Sequence, residues 1–204
     1  MLRYLARQFA QPTGLIGRLL IAPWLDWISR RMNALALERL ALVGDEDVVE
    51  IGFGGGALLR SLRRRSSGTI WGVDVSEAAV ARARSRLPGV RIRTGSVEAL
   101  PLPDGSVDAA VSVNSLYFWP DAARAFSELA RVVKPAGRLV LCFEPAEELR
   151  KWPGHRHGFR LYQAAEVRAL MGRAGFGRIE EAWGTGRKPD RFCCLSGTRL
   201  GANG

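Results

Sequence analysis

The sequence predicts an α/β fold: a mostly parallel sheet of seven strands with helices on both faces and an antiparallel C-terminal edge. Three observations lead there. Short apolar runs alternate with helical stretches from Asp47 to Phe143, the spacing of βαβ units. The first of these runs opens into Gly52-Phe53-Gly54-Gly55-Gly56, and the second ends on Asp74. The last two runs, Arg178 to Trp183 and Arg191 to Thr198, form a strand pair after the parallel part, which suggests an antiparallel addition at one edge.

The elements follow in order. Residues 1–43 precede the first strand and divide from a main domain over 44–204. Leu2 to Ala10 is helix-like, and Pro12-Thr13-Gly14 breaks it. Leu15 to Met32 carries Ile16, Leu19, Leu20, Trp24, Trp27 and Ile28 on one helical face, with Pro23 as a kink. Asn33 is placed to cap a helix over Ala34 to Leu42. This apolar extension reads as helices packed on the sheet, as a lid over a site, or as a membrane-surface element.

Val48 to Ile51 reads as a buried strand and Leu58 to Arg65 as a helix. Glycines between them allow positive φ and close approach of a ligand. Asp74, at the tip of the strand Ile70 to Val73, is placed to bind the two hydroxyls of a ribose. Ser76 caps a helix from Glu77 to Leu87, and Val90 to Arg93 is a short third strand. A turn-rich loop, Leu100-Pro101-Leu102-Pro103-Asp104-Gly105, leads to a fourth strand, Val107 to Val113. Pro120 starts a helix to about Val133, a turn covers Lys134 to Arg138, and Leu139 to Phe143 is the fifth strand. Residues 144–160 form a loop, and Gln163 to Ala174 is an amphipathic helix stopped by Gly175.

At 204 residues and 47% apolar content, the chain is long enough for one well-packed domain and is not disordered by composition. Its net charge is +10, nearly all from arginine scattered along the chain, densest at Arg63-Arg64-Arg65. A solvated surface is the expected reading, with an anionic partner as the alternative. Cys142, Cys193 and Cys194 form no even framework and read as reduced thiols, with Cys193 and Cys194 on opposite faces of one strand. The start lacks the pattern of a signal peptide, and the longest apolar run, Leu19 to Leu25, is too short for a membrane span. A cytoplasmic location follows as the expectation.

Two nucleotide-cofactor fingerprints overlay the glycine turn. Gly52-x-Gly54-x-x-Ala57 fits the dinucleotide form, and Glu50-x-Gly52-x-Gly54-x-Gly56 fits the S-adenosylmethionine form. The rest of the chain separates them. Gly72-Val73-Asp74-Val75-Ser76, then Ala99 to Asp108, Leu129 to Leu139, and Ala174-Gly175-Phe176 follow at fitting intervals. With these motifs, residues 45–198 resemble the class I S-adenosylmethionine-dependent methyltransferases, with a Rossmann-like sheet. Within them the chain looks most like the small-molecule group that includes ubiquinone and menaquinone biosynthesis C-methyltransferases.

The resemblance implies S-adenosylmethionine as cofactor and a role for each loop. Gly52, Phe53, Gly54 and Gly56 would lie against its methionine part with Glu50 beneath, and Asp74 with Val75 would take the ribose. Ser96 and Val97 would hold the adenine, where Ser96 replaces the family's usual Asp, and Asn114 with Ser115 would face the methyl group. On the acceptor side the polar candidates are Tyr117, His155, His157 and Tyr162; Tyr117 and His155 are the expected catalytic residues. His155-x-His157 lacks a third ligand at fitting spacing, so no metal is expected.

The expected reaction is in-line methyl transfer to a small, apolar or lipid-like acceptor, with residues 1–43 and the loop 144–160 closing over the site. Nucleic acid is not the expected partner. Asn114-Ser115-Leu116-Tyr117 lacks the prolines of the base-methylating motif, and no Pro-Cys occurs. The N-terminal helices offer a peripheral membrane contact. The alternatives are a non-catalytic protein that binds the same cofactor, an RNA methyltransferase and a nicotinamide-dependent reductase.

Overall fold

The computed structural model describes residues 27–186 and 190–201. The helix expected over Leu2 to Ala10, and most of that over Leu15 to Met32, fall outside the described residues. The strands are β1 (Val48–Ile51), β2 (Ile70–Asp74), β3 (Arg91–Thr94), β4 (Val107–Val113), β5 (Val133–Phe143), β6 (Phe176–Thr185) and β7 (Arg191–Arg199). The described α-helices are α1 (Arg30–Leu40), α2 (Ala57–Arg63), α3 (Glu77–Arg86), α4 (Ala122–Val132), α5 (Ala146–Leu149) and α6 (Ala164–Arg173). The strands form one seven-stranded sheet in the order β3-β2-β1-β4-β5-β7-β6. The first five run parallel, and β7 pairs antiparallel with both β5 and β6. The chain order reverses between β1 and β4, the place where an open α/β sheet leaves a crevice at its strand tips.

The central strands are β-branched and buried on both faces, so they read as continuous apolar runs rather than alternating ones. Every residue of β1 is buried, and β4 is buried at all positions but Asp108. The sheet therefore carries a core on each side. One packs Val49, Ile51 and Leu139 against Phe126 and Leu129 of α4 and Val167 and Met171 of α6. The other packs Val48, Ile70 and Val140 against α2, α3 and the Met32, Ala36 and Leu40 face of α1. Truncating a fully buried ring such as Phe126 to alanine in such a core costs roughly 3–5 kcal/mol.

Local chemistry sets the ends of the helices. Ser76 caps α3 by accepting from the Ala79 N–H at 3.3 Å, as its position predicts. Gln163 and Glu166 form a reciprocal capping box at the start of α6. Two expected boundaries are corrected. Asn33 does not cap a helix; it lies one turn inside α1, whose chain enters through Ser29. Pro120 does not open α4; Asp121 does, accepting from the Arg124 N–H at 3.1 Å, because its short carboxylate reaches an N–H that a proline cannot satisfy. A single 3-10 turn, Leu116–Phe118, fills the space before it.

The turn at 134–137 sits within β5 as a break in the β4 ladder, between the pairs Val107–Val133 and Ala109–Arg138. Residues 144–160 are more ordered than a loop. They hold α5 and a second 3-10 turn, Pro153–Arg156, with the Trp152 and Phe159 rings packed edge to face.

The expectation of three reduced thiols is corrected too. Cys142 and Cys194 oppose each other in the β5–β7 ladder, with Cα atoms 4.1 Å apart, and are joined as a disulfide. Cys193 is free and buried on the other face, because neighbouring residues of a strand point to opposite sides. Burial pushes its thiol up to about 12, so it is not a nucleophile at neutral pH. Among the described residues no helix is long and apolar enough to cross a membrane.

Candidate active site

A cleft opens over the tips of β1, β2 and β4, with about 1140 Å³ of free space counted out to its mouth. Its floor is the turn between β1 and α2. Gly52, Gly54 and Gly56 all have positive φ, at +70°, +49° and +77°. Two of them serve different ends. A Cβ on Gly52 would sit 2.6 Å from that of Ser115, so the turn and the tip of β4 are in contact there. A Cβ on Gly54 would meet nothing within 4 Å and would project into free space. The second is the signature of a backbone that leaves room for a ligand.

Asp74 ends β2 at the wall of this cleft and is 8% exposed. Its carboxylate accepts from the Ser76 N–H at 2.8 Å and the Gly54 N–H at 3.0 Å. These bonds fix its orientation and leave lone pairs for two hydroxyl donors, since a carboxylate accepts about four hydrogen bonds. Burial holds its pKa above the usual aspartate range, against the two N–H groups and the Arg82 charge, which pull it down. Arg82 also donates to the Gly54 carbonyl at 3.3 Å, tying α3 to the glycine turn.

Glu50 is buried in β1 and lines the floor with Phe53. Val75 is half exposed at the rim beside Asp74. Ser96 and Val97 line the far end. The Ser96 hydroxyl accepts from the Glu98 N–H at 3.2 Å, so it braces its own turn as well as facing the cleft.

The tip of β4 carries a polar chain. Asn114 has φ +57°, a conformation asparagine tolerates better than most residues. Its Oδ1 accepts from the Tyr117 hydroxyl at 3.1 Å, and its Nδ2 donates to Ser29 Oγ at 2.9 Å. The Glu144 N–H in turn donates to the Tyr117 oxygen. Beneath lies a second chain: Trp119 Nε1 donates to Ser115 Oγ at 3.1 Å, Ser115 and Ser112 share a short hydrogen bond, and Ser112 donates to the Ile51 carbonyl at 3.0 Å.

The structure thus brings Glu50, Gly52, Phe53, Gly54, Asp74, Val75, Ser96, Val97 and Asn114 to one cleft, with Gly56 at the turn's far end, where α2 starts. Tyr117 and His155 are elsewhere. Tyr117 is buried against the Phe118 and Phe159 rings behind Asn114. Burial, then the Glu144 carboxylate, push its phenol well above the ordinary tyrosine value. His155 Nδ1 is engaged with the Trp152 carbonyl at 2.7 Å, outside the cleft lining. No residue of 144–160 lines the cleft, so that segment covers Tyr117 and Phe118 rather than the site.

Sequence reasoning missed Ser29, Asn33, Phe118 and Trp119, all of which line the cleft. Ser29 and Asn33 come from a segment remote in sequence and carry no motif. The aromatic run Tyr117-Phe118-Trp119 was visible, but the 3-10 turn decides which ring faces in.

The comparisons agree with this geometry. The family model described as a methyltransferase domain matches residues 49–141. The chain is 30% identical to a Bacillus subtilis protein, the uncharacterized methyltransferase YdaC, over 58% of this chain and 67% of that one. It is 35% identical to a Mycolicibacterium smegmatis protein named a probable S-adenosylmethionine-dependent methyltransferase, over 76% of this chain and 61% of that one. Among solved structures, the partner of the Trm112 methyltransferase activator in a Haloferax volcanii complex has a TM-score of 0.79 at 21% identity, covering 88% of this chain and 92% of that one; this likeness concerns the fold. The open cradle at Gly54 and the buried, cleft-lining carboxylate of Asp74 fit S-adenosylmethionine. The chain belongs to the class I S-adenosylmethionine-dependent methyltransferases.

Proposed function

We propose that the chain methylates a small, apolar or lipid-like acceptor by in-line displacement. The supporting observation is the apolar wall of the cleft after the tip of β4. Phe118, Trp119 and Pro120 form it, and among the described lining residues the only titratable groups are Glu50 and Asp74, both on the cofactor side. An apolar wall favours an apolar acceptor, and the lack of a base beside it favours an acceptor that is already nucleophilic.

S-adenosylmethionine, when bound, supplies a methyl group activated by its sulfonium. The protein's part is then placement, which can be worth roughly 7–11 kcal/mol. Asp74 would hold the ribose hydroxyls, the glycine turn would back the methionine part, Ser96 and Val97 would flank the adenine, and Asn114 would face the methyl group. Tyr117 holds Asn114 in place instead of moving a proton, and His155 takes no part in the step. Ser29 and Asn33 line the cleft, which supports the reading of residues 1–43 as a lid. Quinone precursors and phospholipid headgroups are the first acceptors to test, with the protein cytoplasmic and peripheral at a membrane.

The test is transfer of a radiolabelled methyl group to a panel of lipids, quinone precursors, hydrophilic amines and RNA. Label in an apolar acceptor is the expected result. Label confined to amines or RNA contradicts the proposed acceptor class.

A further inference from the structure

We propose that the β3 end of the sheet is a docking surface for the phosphate backbone of a nucleic acid, separate from the methyl-transfer cleft. The charge that looks scattered in sequence is gathered there. Residues 57–95 carry nine arginines, four on α2 and the turn after it, three on α3 and two on β3, and no lysine. They carry two acids, Asp74 and Glu77, so this fifth of the chain holds +7 of the net +10. Asp74 is turned into the cleft, which leaves Glu77 as the one exposed carboxylate of the segment.

The elements that carry the arginines adjoin one another. Arg63, at the end of α2, abuts the turn from α3 to β3: a Cβ on Gly89 would stand 3.3 Å from its Nε. Arg91 and Arg93 lie on the opposite face of the sheet from α2 and α3, in register with Trp71 and Val73. Their guanidinium carbons sit 5.0 and 5.8 Å from the Trp71 ring, which steadies both side chains. The basic surface therefore wraps the sheet edge from one face to the other.

Five of its charges stay outside the ion pairs of the described residues. Ion pairs occur at Arg39–Glu180, Arg131–Asp104, Lys134–Asp108, Lys151–Glu148 and Arg168–Glu181. Among the described residues, Arg64, Arg65, Arg86, Arg91 and Arg93 are exposed and form none. Concentrated like charge destabilises a fold by self-repulsion, which an anionic partner relieves.

Two features select a nucleic acid over an anionic membrane. Charge on both faces of the sheet at its edge suits a chain that can bend around it, whereas a flat bilayer touches one side. Within residues 57–95 the one exposed large apolar side chain, Val75, is at the cleft rim, so these residues supply no apolar anchor for a bilayer. All nine cations are guanidinium forks, which pair with phosphate in bidentate geometry. Trp71 is covered by arginines and offers no free face for stacking, so binding is to the backbone and independent of base sequence.

The test uses the full chain and a fluorescein-labelled, mixed-sequence RNA of about 20 nucleotides, titrated at several salt concentrations. The wild type should bind with an affinity that falls steeply with salt. The variant Arg64→Gln/Arg65→Gln/Arg91→Gln/Arg93→Gln should bind at least about tenfold more weakly, with the log–log salt slope shallower by about 0.7 for each phosphate no longer neutralised. A control with the same kind of change at exposed Arg150 and Arg173, far from the β3 end, should stay within about twofold. Unchanged S-adenosylmethionine affinity verifies that the variants are folded. If the fourfold variant does not fold, Arg64→Gln/Arg65→Gln, confined to the exposed turn, carries the same test. No RNA binding by the wild type at low salt, equal losses in variant and control, or binding to vesicles of one-third anionic phospholipid without binding to RNA overturns the proposal. None of these results depends on which acceptor is methylated.

Discussion

At the scale of single residues, the account rests on Asp74 and Asn114. Two backbone N–H groups aim the Asp74 carboxylate into the cleft, and burial keeps its proton affinity high. The sign of its pH effect follows. A carboxyl whose pKa is raised on folding contributes stability below its unfolded pKa, and that contribution is lost as pH rises through the folded value. Hydroxyl donors favour the ionised form. Cofactor affinity should therefore fall on acidification, with a midpoint above the ordinary aspartate range, while Asp74's own contribution to stability grows; titrations across that range measure the first directly. Asp74→Ala should weaken cofactor binding about 10–100-fold, the loss of charge-assisted hydrogen bonds worth roughly 1.5–3 kcal/mol.

Asn114 is held from both sides, by Tyr117 and Ser29. Tyr117→Phe leaves the Glu144 N–H without its acceptor and Asn114 without one support. It should lower stability by about 1–3 kcal/mol, and lower kcat more than it raises the KM for the methyl donor. A pH–rate profile that loses a limb in this variant would instead make Tyr117 a proton-transfer group. The sequence placed Tyr117 beside the site but could not place its hydroxyl, because that depends on which way one 3-10 turn rolls.

At the scale of elements, the β1–α2 turn and the 100–105 loop show two kinds of motif residue. Gly52 is required by the fold, Gly54 by the ligand. Gly52→Ala should lose both stability and cofactor binding, since its Cβ would collide with Ser115. Gly54→Ala should cost only the left-handed strain, about 1–2 kcal/mol, yet still weaken cofactor binding; thermal unfolding and titration of the two variants separate the cases.

Arg131, in contrast, is a brace. It donates to the Leu100 and Leu102 carbonyls and to Asp104 and Glu128, holding the proline-rich loop on α4. Lys134 joins Asp108 in the same way at 2.9 Å. These residues were legible as family motif, and the structure gives their physical reason: Arg131 fixes the loop between β3 and β4, and Lys134 ties β5 to the start of β4. The order of strands and the glycine turn were also readable, because alternation and positive-φ demands are local signals. Ser29 and Asn33 were not, because a site residue delivered by tertiary packing leaves no local trace.

At the scale of the whole molecule, the antiparallel strand β7 inserts between β5 and β6 and brings Cys194 against Cys142, a pairing that sequence separation hid. Thiol counting on the denatured, unreduced protein should find one reactive thiol, Cys193. Three reactive thiols would contradict the cross-strand disulfide. The same folding gathers arginines from three elements onto one edge while the cleft sits at the strand tips, so a polyanion and a small acceptor would use different surfaces.

Whether the cleft binds S-adenosylmethionine for methyl transfer is measured by calorimetric titration with S-adenosylmethionine, S-adenosylhomocysteine and NADH. The first two should bind through the Asp74 side of the cleft, about 10–100-fold more weakly in Asp74→Ala, and NADH should not bind. Binding of NADH alone, or methyl-donor affinity unchanged in a folded Asp74→Ala variant, would contradict that expectation.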